Sequence, residues 1–140
     1  MKSTEKIQHL EGVPLFTGFN KKQLGEIAKL ADEVEVSTAT HLTEEGSIGR
    51  QFGVILSGSA VVKRNNRKLA DLSKGDFFGE MALLLQEPSS ATVITTSDSR
   101  LLVMHRRDFG KLLDDVPAVT KKLATGLAQR LLEADKKLVV

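Results

Sequence analysis

The residues best suited to chemistry lie together in Phe77-Phe78-Gly79-Glu80-Met81-Ala82-Leu83-Leu84-Leu85-Gln86-Glu87-Pro88-Ser89-Ser90-Ala91-Thr92-Val93. The order of types predicts strand, tight turn, short helix, loop and strand. Gly79 can take a backbone dihedral that other residues avoid, or let the chain come close to a ligand. A helix over Glu80–Gln86 would start just after it. Free N–H groups at a helix start, at the positive end of its dipole, suit an anionic group such as phosphate. Glu80 would stand at the mouth of that site, where a carboxylate accepts hydrogen bonds from a sugar hydroxyl. Ser89, Ser90 and Thr92 add neutral hydroxyls. A glycine followed by a helix also describes an ordinary structural turn, and Glu80 there also describes a carboxylate capping a helix start.

Other chemistries lack their residues. His9, His41 and His105 are scattered, and none has a second histidine at ligand spacing. That argues against a metal enzyme of the cupin kind, the third and weakest reading. His41 opens a predicted strand and His105 ends one. Ser89-Ser90 has no histidine partner at a hydrolase spacing. No glycine-rich loop ends in Gly-Lys-Ser/Thr. The absence of cysteine excludes disulfides and thiolate catalysis. No enzyme is expected. Lys plus Arg number 20 against 18 Asp plus Glu, a net charge of +2, which gives no electrostatic case for nucleic acid. The longest apolar run, Met81–Leu85, is far short of a membrane span. The polar, mixed-charge start from Met1 to Leu10 is not a signal peptide. A soluble cytoplasmic protein is expected, with no nucleic-acid or membrane partner.

The elements that must position this segment fall into three parts. With 140 residues, 41% hydrophobic and 27% charged, the chain has apolar material for one core and reads as one domain. Residues 1–32 are helical. Ile7 and Leu10 share a face until Gly12 and Pro14 stop the pattern. Phe16 and Phe19 flank Gly18 in a connector. Asn20 is placed to cap a helix from about Lys21 to Ala31, with Leu24, Ile27, Ala28, Leu30 and Ala31 on its apolar side. Residues 33–105 alternate with period two between frequent turns. Runs at Val34–Val36, Phe52–Leu56, Ala60–Val62, Leu69–Leu72, Thr92–Thr96 and Leu101–Met104 predict a sandwich, jelly roll or barrel. Lys63-Arg64-Asn65-Asn66-Arg67-Lys68 reads as a basic turn with Asn65-Asn66 at a hairpin tip. Residues 106–140 return to helical period. A helix over Arg106–Asp114 carries Phe109, Leu112 and Leu113. A longer one over about Pro117–Leu138 has Asp115 close to its N-cap and Pro117 at its first position. Its stripe of Val119, Leu123, Leu127, Leu131, Ala134 and Leu138 fits a pairing seam or packing on its own barrel, with equal weight.

Taken whole, the 78–93 segment resembles the phosphate-binding cassette of the cyclic nucleotide-binding domain family. That cassette reads Phe-Gly-Glu, an aliphatic, Ala or Gly, Leu, a variable loop, then Pro-Arg-Ala/Ser-Ala-Thr-Val. Phe78-Gly79-Glu80-Met81-Ala82-Leu83 matches its first half, and Pro88, Ser90, Ala91, Thr92 and Val93 match its second half in register. Gly46, Gly49, the Phe52–Gly58 stretch and Gly75-Asp76 follow the family's glycine framework. The resemblance covers most of the chain. It implies an α+β fold: an eight-stranded antiparallel jelly-roll barrel with N-terminal helices and two C-terminal helices.

One position departs from the pattern. Where the family has the arginine that pairs with the ligand's phosphate, this chain has Ser89. Losing a bidentate guanidinium costs roughly 1–3 kcal/mol, or about ten- to a hundredfold in affinity, and shifts preference toward a less charged ligand. Arg50 is the one substitute considered, but turn tips in a jelly roll stand away from the cassette, so it is read as solvated. The resemblance further implies that Glu80 binds a ribose 2′-hydroxyl. Gly79, Met81 and Ala82 would offer backbone amides, with Phe78, Ala91 and Thr92 completing the cassette. Ser90 would touch a guanine edge, or else be a strand serine satisfied by backbone. Arg130 occupies a helix position that can cap the purine, although a solvated arginine is the preferred reading there. The expected function is a sensor that binds cAMP or cGMP weakly and relays occupancy through its last helix to a partner or a second copy, with no metal cofactor. The alternative is a degenerate domain that binds no nucleotide and serves as a protein–protein or dimerisation scaffold. No helix-turn-helix follows the last helix before Val140, so DNA reading is not expected.

Overall fold

A computed structural model describes residues 3–138, and the side chains of 5–136. Helices α1 (Ser3–Glu11) and α2 (Lys21–Leu30) flank a single 3-10 turn, Pro14–Phe16. Asn20 caps α2 as expected and Gln23 completes the cap. The Asn20 side chain accepts the Gln23 N–H at 2.8 Å, and Gln23 Oε1 accepts the Asn20 N–H at 3.0 Å. Eight strands follow: β1 (Asp32–Val36), β2 (His41–Thr43), β3 (Gln51–Ser57), β4 (Ala60–Arg64), β5 (Arg67–Leu72), β6 (Phe77–Phe78), β7 (Thr92–Thr95) and β8 (Ser99–His105). The short helix α3 (Glu80–Leu85) joins β6 to β7, and α4 (Arg106–Asp115) and α5 (Pro117–Leu138) close the chain. Asp115 ends α4 and sits one residue from the N-cap of α5, and Val116 alone separates the two helices.

All the strand pairs are antiparallel, in two four-stranded sheets ordered β1-β8-β3-β6 and β2-β7-β4-β5. The eight expected strands are therefore split between two sheets and do not close into one hydrogen-bonded barrel. The edge strands β6 and β2 are only two and three residues long, too short to carry a ladder across. Asn65 and Asn66 both have positive φ, 52° and 62°, at the tip of the β4–β5 hairpin. Arg64 and Arg67 belong to the strands on either side, not to the turn.

The apolar runs of β3 and β8 are continuous because both faces are covered. Leu101 and Val103 pack between the sheets with Ile55, Ala60, Leu72, Phe78 and Val93. Leu102 and Met104 alternate outward with Phe52 and Val54, under Leu10, Phe16, Leu24, Ile27, Phe109, Leu112, Val119 and Leu123 of the helical segments. The Phe52 and Phe109 rings stack at 4.6 Å. Gly53, between Phe52 and Val54, has the Phe78 ring where a Cβ would be.

The first half of α5 packs on the body through Val119 and Leu123. Beyond Leu127 the apolar stripe leaves the body, and Leu131 is 63% exposed. The packing expectation holds for one end of the stripe, and the other end stays uncovered. The side chain of Leu138 lies outside the described residues. No helix among those described is long and apolar enough to cross a membrane.

Candidate functional site

The segment from Phe78 to Val93 is one of the connections that cross from one sheet to the other. Gly79, at φ 85°, ends β6 and starts α3. A Cβ there would collide with the Gln51 carbonyl oxygen of β3, so the turn requires glycine for its dihedral and for this approach. Gln86, at φ 55°, closes α3 with its N–H to Ala82 O. The chain then returns through Pro88 and Ser89. Ser89 donates its N–H to Ser47 O at 2.8 Å and accepts the Gly46 N–H at 2.8 Å. The turn carrying Gly46 and Gly49 is thus clamped against the cassette and does not stand away from it. Arg50 is nevertheless exposed and does not line the site.

These elements enclose a cavity of about 230 Å³. Phe78, Gly79, Glu80, Met81, Ala82, Ser89, Ser90, Ala91 and Arg130 all line it, joined by Thr43, Val62, Arg64, Leu69, Leu72, Phe77 and Val93. Thr92 does not. Its hydroxyl accepts the Glu45 N–H at 3.0 Å and serves the fold. Ser90 lies before β7 rather than in a strand, and its carbonyl accepts a bond from Arg64 Nε at 2.8 Å.

Glu80 is 3% exposed. Its Oε1 accepts Arg130 Nη1 at 2.8 Å, while Oε2 is buried without a partner. Burial pushes its carboxyl above its ordinary value of 4.5, against the pull of Arg130 and of a hydrogen bond from its own backbone. Arg130 is not the solvated arginine preferred from sequence. Its Nη2 donates to Phe77 O at 2.8 Å, and its guanidinium lies 4.1 Å from the Phe77 ring centroid. The signal was in the helical stripe, because Leu123, Leu127 and Arg130 share one face of α5.

Arg64 is the charged lining residue that sequence reasoning missed. Read as part of a turn, it lies instead two residues beyond Val62 on β4, on the same face. The histidines serve structure: His9 bonds Glu33 Oε1 at 2.6 Å, His41 bonds Glu44, and His105 caps α4. Among the described residues no three His, Cys, Asp or Glu are grouped to hold a metal. A larger cavity, about 310 Å³, lies between α1, β3 and the Lys74-Gly75 turn. Of its charged residues, His9 and Arg100 are already paired with glutamates and Lys74 is exposed. The buried Glu33 Oε2, which also lacks a partner, belongs to a residue that does not line that cavity.

The family model "Cyclic nucleotide-binding domain" matches residues 33–116. The chain belongs to this family. It is 31% identical over 134 residues to the cyclic AMP receptor protein of Thermus thermophilus, covering 92% of this chain and 62% of that protein. It is 29% identical over 113 residues to a cAMP-dependent protein kinase regulatory subunit of Hypocrea atroviridis, covering 81% of this chain and 24% of the subunit. The regulatory subunit of a cAMP-independent protein kinase A from Trypanosoma brucei superposes with a TM-score of 0.84 at 22% identity, over 98% of this chain and 50% of that one. This likeness is one of fold. The chain therefore spans about a quarter and under two thirds of the length of these two curated relatives. Of the cassette residues from Phe78 to Val93, Phe78–Ala82, Ser89–Ala91 and Val93 line the cavity, and Pro88 and Thr92 do not.

Proposed function

We propose that the chain is a small-molecule sensor module that binds a cyclic nucleotide, cAMP or cGMP, weakly in the cassette cavity. The observation that carries this reading is Glu80 Oε2: a buried carboxylate oxygen with no protein partner, in a residue lining the cavity. A buried acceptor left unpaired costs free energy, and a ribose 2′-hydroxyl would satisfy it. Backbone amides at Gly79, Met81 and Ala82 flank the sugar and phosphate, Ser90 meets the purine edge, and Arg130 caps the base. The cavity is smaller than the roughly 300–1,000 Å³ common for ligand pockets and opens to solvent on one side. Arg130 joins Glu80 to α5, so a hydroxyl arriving at Glu80 alters the contact holding that helix. The ligand biases the helix by its differential affinity for the two arrangements. Leu131 and Leu132, exposed beside Arg130, are the surface through which a partner protein or a second copy would read the change.

Those exposed leucines and the neutral Ser89 favour a second reading, a scaffold that binds no nucleotide. Calorimetric titration of the natural protein and of Ser89→Arg with cAMP and cGMP separates the two. The sensor reading expects the variant to bind about ten- to a hundredfold tighter. Neither heat nor thermal stabilisation at millimolar nucleotide in both proteins leaves the scaffold.

A further inference from the structure

We propose that Arg64 supplies, from β4, the positive charge for the ligand's phosphate that position 89 lacks. This inference rests on the cyclic nucleotide reading and names the residue that sets preference for a charged ligand.

Three observations carry it. Arg64 lines the same cavity as Glu80, Ser89 and Ser90. Its Nε is fixed to the Ser90 carbonyl at 2.8 Å, which holds the guanidinium at the residue next to Ser89. A guanidinium has five N–H donors, and the Nη groups of Arg64 make no hydrogen bond and no ion pair among the described residues. They are available for the bidentate contact that a phosphate takes. The charge balance of the wall agrees. Its charged residues are Arg64, Glu80 and Arg130, of which Glu80 and Arg130 pair with each other at 2.8 Å. What remains is one positive charge, matching the single negative charge of a cyclic phosphodiester. Arg64 is in no salt bridge among the described residues. Glu45, whose Oε1 accepts the Asn65 N–H at 3.0 Å, keeps its negative charge near the hairpin tip, and Arg67, the cross-strand neighbour of Arg64, adds a positive one.

The test compares the natural protein, Arg64→Gln and the double variant Arg64→Gln/Ser89→Arg by calorimetry, with cAMP and with uncharged adenosine as probes. Thermal melting checks that each is folded. Arg64→Gln is expected to weaken cAMP binding about ten- to a hundredfold and to leave adenosine within about twofold. Adding Ser89→Arg is expected to restore cAMP binding. Equal cAMP affinity in the natural protein and Arg64→Gln overturns the inference and leaves the sensor reading standing. Equal losses for cAMP and adenosine also overturn it, because Arg64 would then act only by holding the Ser90 loop. A natural protein silent toward both probes overturns the cyclic nucleotide reading itself.

Discussion

The two sheets share one core but differ in what lies outside them. Strands β3 and β8 of the first are apolar on both faces, because the other sheet covers one and the helices cover the other. The second sheet is open on its outer side, and five of the six residues of β5 are exposed. The covered middle of β3 and β8 leaves no room for a charge facing the ligand site. The end of β4, an inner strand of the second sheet, carries one at Arg64, on the core-facing side with Val62 and exposed where the cavity opens. The cassette spans this divide, leaving the first sheet at β6 and entering the second at β7. Support and specificity are thereby separated, and substitutions in the two sheets should fail in different ways.

The largest effect belongs to the covered sheet. Phe52→Ala removes a ring packed on Phe77 and Phe109 and should cost about 3–5 kcal/mol of stability in denaturant melts. Nucleotide binding should survive at temperatures where the variant stays folded. Lost binding with unchanged stability would break the comparison.

Glu80→Gln should do the reverse. Binding should fall about ten- to a hundredfold, since a charged acceptor is replaced by a neutral one, while stability at pH 7 should not fall. The folded protein holds the Glu80 proton more tightly than the unfolded chain, because burial raises its pKa. That contribution to stability is complete below the unfolded value of 4.5 and is lost as pH rises through the folded value. The natural protein should therefore gain on Glu80→Gln as pH drops from 7 toward 4.5, measured by paired melts.

Arg130→Ala should lower stability less than Phe52→Ala does, by about 1–3 kcal/mol, because it leaves the buried Glu80 carboxyl without its side-chain partner. Hydrogen exchange gives the sharper signal. Amides from Leu127 onward should exchange faster, and those near Val119 and Leu123 should not change.

How much of this was legible in the sequence differs by region in the same way. The helices α2, α4 and α5 were readable from apolar spacing and from Asn20, because their caps and faces are local. The cassette was readable from its own string of residues. Arg64 was not, because a basic residue beside Asn65-Asn66 resembles a turn, and only the sheet register shows that β4 carries it to the cavity. The structural part of Thr92 was hidden in the same way. It matches the motif, and its hydroxyl also accepts the Glu45 amide, a partner distant in sequence. The division into two sheets was equally hidden, since strand runs do not reveal which edges pair.

The account turns on an unpaired carboxylate oxygen waiting for a sugar hydroxyl. Calorimetric titration with cAMP and with its 2′-deoxy analogue tests this most directly. The natural protein should bind cAMP about tenfold more tightly than the analogue, and the difference should shrink in Glu80→Gln, whose acceptor is neutral. Equal affinity for the two nucleotides in the natural protein would contradict it.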